Sequence, residues 1–244
     1  MKQSIFTIET NRPLTDNVYL MKLCGDVSEI TAPGQFINIK LDGLYLRRPI
    51  SVCDCDKDSV TIIYKVVGKG TEQMSNMASG ELDILTGLGN GYDLSKSGDR
   101  PLLVGGGVGV PPLYMLAKEL IAQGKKVSVV LGFNTKDEVF YKEEFEKLGA
   151  EVYVTTVDGS MGIKGFVTDA IGEIDYSYVY TCGPEPMLKA LYRSIKTSGQ
   201  FSFEERMGCG FGACMGCSCK TVTGYKRICK DGPVLEKEEI LWEL

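Results

Sequence analysis

Cys209, Cys214, Cys217 and Cys229 stand at C-x4-C-x2-C-x11-C spacing near the C-terminus, and three thiolates on one short loop are how a chain wraps a [2Fe-2S] cluster. The loop reads Met207-Gly208-Cys209-Gly210-Phe211-Gly212-Ala213-Cys214-Met215-Gly216-Cys217, and its glycines suit backbone amides that must come close to sulfur. A four-cysteine zinc knuckle is the competing chemistry. It draws its tetrahedral thiolates from two short Cys pairs, so spacing and glycine content favour the cluster and leave zinc as the alternative. Cys219 competes with Cys229 for the fourth ligand position, but only Ser218 separates it from Cys217. That chord is very short for two thiolates on one iron pair, and Cys229 is preferred.

A second group of residues has the chemistry of nucleotide binding. Val104-Gly105-Gly106-Gly107-Val108-Gly109-Val110-Pro111-Pro112 lies between an apolar strand and a helix, where N–H groups at the helix start can meet a pyrophosphate. Cys182-Gly183-Pro184 follows another such strand. Cys182 is either a small buried apolar group or a thiol beside the reacting cofactor. Leu46-Arg47-Arg48-Pro49-Ile50-Ser51 supplies guanidinium groups and a hydroxyl, and Gly68-Lys69-Gly70-Thr71 is a glycine turn opening a helix; both suit phosphate, while a solvated pair of surface arginines is the plain alternative.

Three segments must position these groups. Residues 1–97 read as short alternating strands, such as 18–23, 35–41 and 60–66, separated by Gly, Pro and Asp turns, which predicts a small antiparallel barrel. Residues 98–200 alternate strand and helix: strands at 102–104, 127–131, 152–155 and 178–180, and helices at 111–123, 137–148 and 184–197. That grammar predicts a parallel sheet with helices on both faces. Residues 201–244 form a loop-rich, cysteine-rich segment that a metal centre must largely order.

Composition excludes other classes. The chain has no histidine, which removes Ser-His and Cys-His nucleophilic machinery, His-ligated zinc hydrolases and Rieske clusters. A net charge of −5 without a basic stripe argues against nucleic acid. The most apolar stretch, 101–117, is broken by glycines and prolines, so no membrane span is expected. Nine cysteines without a signal peptide point to a reducing, cytoplasmic setting.

The ordered landmarks Arg48-Pro49-Ile50-Ser51, Gly68-Lys69-Gly70-Thr71, Gly87-Leu88-Gly89-Asn90-Gly91, the 105–112 turn and Cys182-Gly183-Pro184 resemble those of the ferredoxin–NADP reductase superfamily. With Leu131-Gly132-Phe133 and the tail from Glu205 through Val234, the chain is similar end to end to the electron transfer subunits of NAD-dependent, type B dihydroorotate dehydrogenases. The resemblance implies an FAD-binding barrel, an NAD-binding α/β domain and a [2Fe-2S] segment. It implies that Arg48, Pro49, Ile50, Ser51, Ile63, Tyr64, Lys65, Gly70 and Thr71 hold FAD. Gly105, Gly106, Gly107, Gly109, Cys182, Gly183 and Pro184 would meet NAD, with Cys182 beside the flavin and nicotinamide, and Cys209, Cys214, Cys217 and Cys229 would ligate the cluster. At position 50 this chain has Ile where many members carry an aromatic.

The implied partner is an FMN-containing catalytic subunit in a heterotetramer of two copies of each, with electrons passing through the cluster and FAD to NAD+ in pyrimidine biosynthesis. NAD is preferred over NADP because the segment 132–138 offers one Lys and no Arg to a 2′-phosphate, with Asp137 and Glu138 opposing it. Two other readings stay open: a flavin and iron-sulfur reductase module of a hydrogenase-like or ferredoxin-dependent complex, and a nucleotide-binding protein with a zinc tail.

Overall fold

The computed structural model describes residues 1–242, so the last two residues of the expected 201–244 segment lie outside the described residues. Six antiparallel strands close the barrel: β1 (Lys2–Pro13), β2 (Val18–Cys24), β3 (Phe36–Ile39), β4 (Arg48–Cys55), β5 (Ser59–Lys65) and β6 (Glu81–Leu88), in the order β1-β2-β5-β4-β3-β6. Helix α1 (Lys69–Ser75) bridges β5 and β6. Closure leaves no free edge, and the inward positions of the strands fill the interior. Phe6, Met21, Leu23, Ile37, Ile39, Val52, Ile62 and Ile84 meet there in one buried cluster.

Strands β7 (Pro101–Gly106), β8 (Ser128–Phe133), β9 (Glu151–Thr156) and β10 (Ile163–Lys164) follow, with α2 (Pro112–Ala122) after β7, α3 (Lys142–Leu148) after β8 and α4 (Val167–Ala170) after β10. Then come β11 (Tyr178–Cys182), α5 (Glu185–Ser194), β12 (Gly199–Ser202), a small hairpin β13 (Ser218–Thr221) and β14 (Gly224–Arg227), and β15 (Val234–Glu236). The sheet order is β10-β9-β8-β7-β11-β12-β15, parallel except where β15 meets β12. Side chains alternate across it: Leu103, Val129, Leu131 and Tyr180 join α2 and α3 on one face, and Leu102, Val104, Val130 and Val179 join α4 and α5 on the other. Leu113, Leu116 and Leu120 of α2 are fully buried, each a contribution of about 1.5–3 kcal/mol. The expected barrel and two-faced α/β sheet are both present.

Two local features differ from the sequence expectation. The helix expected over 137–148 is split: a 3-10 turn at Lys136–Glu138 gives way to extended Val139 and left-handed Tyr141 (φ 65°) before α3 begins. Aromatic packing explains the break, since Phe140 and Tyr141 turn inward to meet Phe133 at 5.3 Å and Tyr114 at 5.1 Å. The cysteine-rich segment is also more tightly built in than a loop-rich appendage. Its β15 extends the large sheet, and Ile228, Leu235 and Ile240 are buried in the same core as Leu188 and Phe201. Asn90, within the Gly87–Gly91 landmark, donates from N to Gly232 O (2.7 Å) and from Nδ2 to Val234 O (2.8 Å), so that landmark anchors the tail.

Candidate functional site: a cysteine loop, a barrel edge and a strand-end cleft

The order of strands reverses between β8 and β11, on either side of β7, and ligands in open α/β sheets bind at the carboxyl ends of strands beside such a reversal. Cys182 pairs with Gly105, so the turns that follow β11 and β7 lie side by side. Gly109 is what lets them touch: a Cβ there would come 2.3 Å from the Cys182 carbonyl oxygen. Beyond these turns opens a cleft of about 600 Å³ with Gly106, Gly107, Gly132, Phe133 and Pro184 in its wall. Its size and its glycine-lined floor fit a dinucleotide.

Of the residues expected there, Gly106, Gly107 and Pro184 line the cleft, while Gly105 and Gly109 shape the turn behind it. Gly183 packs against Met187, itself part of the wall. Cys182 is 2% exposed, and burial raises its thiol pKa well above the ordinary range, so it stands as a neutral thiol. Of the two carboxylates expected to oppose a 2′-phosphate, Glu138 borders the cleft and Asp137 is not part of its wall; Glu138 Oε2 accepts from Asn134 N (3.1 Å) and Nδ2 (2.9 Å). Lys65 and Glu204 also line it; nothing in the local sequence around Glu204 marks it as part of this wall.

Around the barrel edge the two arginines part company. Arg47 is committed to the barrel, donating from Nη2 to Asp83 Oδ1 and from Nη1 to Asp83 O, each at 2.9 Å. Arg48 runs along β4 to the start of α1, so close that a Cβ on Gly70 would sit 2.2 Å from its Nε. Pro49, Ile50 and Ser51 continue β4, paired to Asn38, Ile37 and Phe36 of β3. Thr71 is occupied: its hydroxyl accepts from Val67 N (2.9 Å) and donates to Gly68 O (3.0 Å). Arg48 Nη1 donates to Leu46 O, so the donors for a phosphate at this place are the remaining guanidinium N–H groups of Arg48 and the first-turn N–H groups of α1, which have no partners inside the helix.

On β5 the strand period separates neighbours. Tyr64 faces the barrel interior and donates its hydroxyl to Asn11 Oδ1 at 3.0 Å; Ile63 faces the core shared with α2; and Lys65, on the same side as Ile63, reaches the cleft. The barrel edge and the cleft thus meet at Lys65.

The four cysteines of the loop fall into two pairs. Cys209 Sγ accepts from Ala213 N (3.2 Å) and Cys214 N (3.4 Å), and Cys217 Sγ accepts from Cys229 N (3.4 Å). Partial burial works to raise the Cys209 pKa, but the N–H groups of Phe211, Cys214 and Ala213 outweigh it and favour the thiolate. Burial and the neighbouring Cys217 push Cys229 the other way, a penalty that a bound cation reverses. Paired sulfurs with N–H donors aimed at them suit an iron-sulfur cluster, whose thiolate ligands commonly accept such hydrogen bonds. Cys219 sits across the hairpin from Lys226 and makes none of these sulfur contacts.

Two features that the sequence did not reveal fasten this loop. Arg227, paired with Asp231, donates from Nη1 to Gly212 O at 3.0 Å, and Asn38 of β3 donates from Nδ2 to Cys209 O at 3.2 Å, tying the loop to the barrel.

Comparison with known proteins agrees with this geometry. Residues 204–241 match the family described as the iron-sulfur cluster binding domain of dihydroorotate dehydrogenase B, and residues 103–193 match the oxidoreductase NAD-binding domain. The dihydroorotate dehydrogenase B (NAD(+)) electron transfer subunit of Geobacillus sp. (strain WCH70) is 47% identical, with 99% of each chain covered. That of Fusobacterium nucleatum is 49% identical over 96% of each. A solved NADH-dependent reduced ferredoxin-NADP oxidoreductase structure superposes with a TM-score of 0.89 at 31% identity, covering 98% of this chain and 90% of the other. A ferredoxin NADP+ reductase from Neisseria gonorrhoeae, at 14% identity and TM-score 0.70 over 80% of this chain and 90% of its own, shares the fold. The chain belongs to the family of electron transfer subunits of dihydroorotate dehydrogenase B.

Proposed function

We propose that this chain is the redox relay of an NAD-dependent dihydroorotate dehydrogenase in pyrimidine biosynthesis, taking electrons from the FMN of a separate catalytic subunit and delivering them through a [2Fe-2S] cluster and FAD to NAD+. The observation that carries this reading is the paired-cysteine loop fastened onto a barrel whose edge opens into the dinucleotide cleft. When bound, the cluster supplies one-electron steps, NAD the two-electron step, and the flavin the conversion between them.

The chain's own residues bind, orient and exclude. Cys209, Cys214, Cys217 and Cys229 ligate the cluster, and the amides of Ala213 and Cys214 add hydrogen bonds to sulfur. Arg48, with the N–H groups at Gly70 and Thr71, would hold the FAD phosphates, and the strand segments Pro49, Ile50, Ser51 and Ile63, Tyr64, Lys65 would form the barrel wall for the flavin, Tyr64 through its backbone. Gly106, Gly107 and Pro184 would line the NAD pyrophosphate site and Gly105, Gly109 and Gly183 would shape the turns behind it, while buried Cys182 would stand beside the nicotinamide as a neutral thiol and not as a nucleophile. Residues 1–97, 98–200 and 201–244 serve as FAD-binding, NAD-binding and cluster segments, in a cytoplasmic heterotetramer of two copies of each subunit.

Co-expression with the catalytic subunit tests this. The purified complex should carry FMN, FAD and iron and reduce NAD+ with dihydroorotate, whereas the chain alone should oxidise NADH with an artificial acceptor and leave dihydroorotate untouched. Co-purification with a nickel protein or a ferredoxin instead would overturn the assignment.

A further inference from the structure

Asn38 is a polar residue with 1% exposure in a strand otherwise filled by Phe36, Ile37 and Ile39. Burying an amide in apolar surroundings is unfavourable unless it is hydrogen-bonded, so its place calls for a reason. One half of the amide has one: Nδ2 donates to the carbonyl oxygen of Cys209, 171 residues away, at 3.2 Å. Because a carbonyl can only accept, that contact fixes which end of the amide is nitrogen. The other end, Oδ1, is buried without a partner.

The surroundings on both sides are specific. Gly210, next to Cys209, has a φ of +78°, and a Cβ on it would lie 2.3 Å from Asn38 Nδ2, so the loop backbone is pressed directly on the amide. On the barrel side, Asn38 pairs with Pro49 of β4, within the Arg48–Ser51 run, and its own carbonyl accepts from Arg47 Nη1 at 3.3 Å. A single side chain therefore touches the first cysteine of the loop from the strand that neighbours the flavin motif.

We infer that Asn38 is a positioning residue for electron transfer: its amide sets the register of the Cys209 end of the cluster loop against the flavin-bearing edge of the barrel, and Oδ1 is held for an N–H donor of the cofactor-loaded site. The inference rests on the relay reading of the chain. It adds a contact that acts on the cluster through the Cys209 backbone and leaves the NAD cleft untouched. A purely structural amide would affect stability alone; this one also affects the electronic environment of the cluster, because a backbone dipole adjoining a ligand thiolate tunes its basicity.

The test uses Asn38→Leu and Asn38→Asp in the full chain, prepared anaerobically beside wild type. Flavin content and NADH-driven flavin reduction should match wild type in both variants. The EPR spectrum of the reduced cluster and its midpoint potential should shift in both, and NADH-driven reduction of the cluster should slow by about 10-fold, as loss of an outer contact to a metal ligand commonly does. A wild-type cluster spectrum, potential and reduction rate in both variants would overturn the inference. If Asn38→Leu fails to fold, seen as loss of flavin together with iron, Asn38→Asp, matched in volume, decides on the same three readings. Wild-type protein lacking iron and flavin altogether would defeat the relay reading instead.

Discussion

Arg227 and Asp231 form a two-point ion pair, with Asp231 Oδ2 accepting from Arg227 Nε at 2.9 Å and Oδ1 from Nη2 at 3.1 Å, and the remaining Nη1 donates to Gly212 O at 3.0 Å inside the cysteine loop. The guanidinium thus converts an i,i+4 pair at the end of β14 into a clamp on the segment between Cys209 and Cys214. Lysine can supply the charge but not the fork. Arg227→Lys should therefore weaken cluster retention by about 10- to 100-fold, measured as iron per chain after dilution, while flavin content stays at the wild-type level. Unchanged iron retention would show that Gly212 needs no clamp.

The same pair has a pH signature. Hydrogen bonds from the Arg227 side chain and backbone hold the Asp231 carboxyl at about 2, below its ordinary 3.8. A depressed carboxyl stabilises the fold above its unfolded value and loses that contribution as pH falls through the folded one. The difference in melting temperature between wild type and Asp231→Asn should be flat from neutral pH to about 4 and shrink toward pH 2. A difference that persists undiminished at pH 2 would mean the carboxylate is not its source.

Cluster assembly and hydride chemistry occupy different parts of the chain, so they should separate by mutation. Cys214→Ser is expected to abolish the cluster and leave NADH reduction of FAD largely intact, and Cys219→Ser to leave iron content unchanged because Cys219 makes none of the sulfur contacts of the other four. Iron analysis and stopped-flow bleaching of the flavin read the two effects. Loss of flavin reduction in Cys214→Ser would mean that the tail, whose β15 pairs with β12, is needed to fold the whole.

Gly109→Ala tests the join between the two strand-end turns. The added methyl would meet the Cys182 carbonyl at 2.3 Å, and forcing the turns apart should cost about 1–3 kcal/mol, which for a chain of this size is a drop of several degrees in Tm. The KM for NADH should rise with it. A wild-type KM alongside a lowered Tm would place the dinucleotide elsewhere.

Nucleotide choice follows from the charge at the cleft. Glu138 borders it, and among the described residues no arginine lines it, so NADH should be preferred over NADPH by about 10-fold or more in kcat/KM with an artificial acceptor. Glu138→Gln should narrow the gap by relieving repulsion of a 2′-phosphate. Equal use of both coenzymes by the wild type would contradict the reading.

Much of this architecture is legible in residue order because its signals are local. Alternation in segments such as 60–66 writes the barrel, the 105–112 turn marks the βα junction, and the cysteine spacing writes the loop. What escapes is non-local. Nothing within the three residues of β15 says that they pair with β12, some thirty residues earlier; Asn38 looks like one polar residue in an apolar strand until the fold brings Cys209 to it. Arg47 and Arg48 look equivalent in sequence, and only the position of Asp83 on β6 separates the structural one from the one facing α1. The break before α3 likewise follows from Tyr114 on another helix, which recruits Tyr141.

An anaerobic titration of the isolated chain with NADH, followed by visible absorbance and by EPR, bears most directly on the claim that one polypeptide joins pair-wise and single-electron transfer. The account predicts yellow-brown protein with two irons per chain as a [2Fe-2S] centre requires, flavin bleaching on the first additions and a reduced-cluster EPR signal following it. Colourless protein, or flavin that bleaches fully while a chemically reducible cluster stays oxidised, would contradict it.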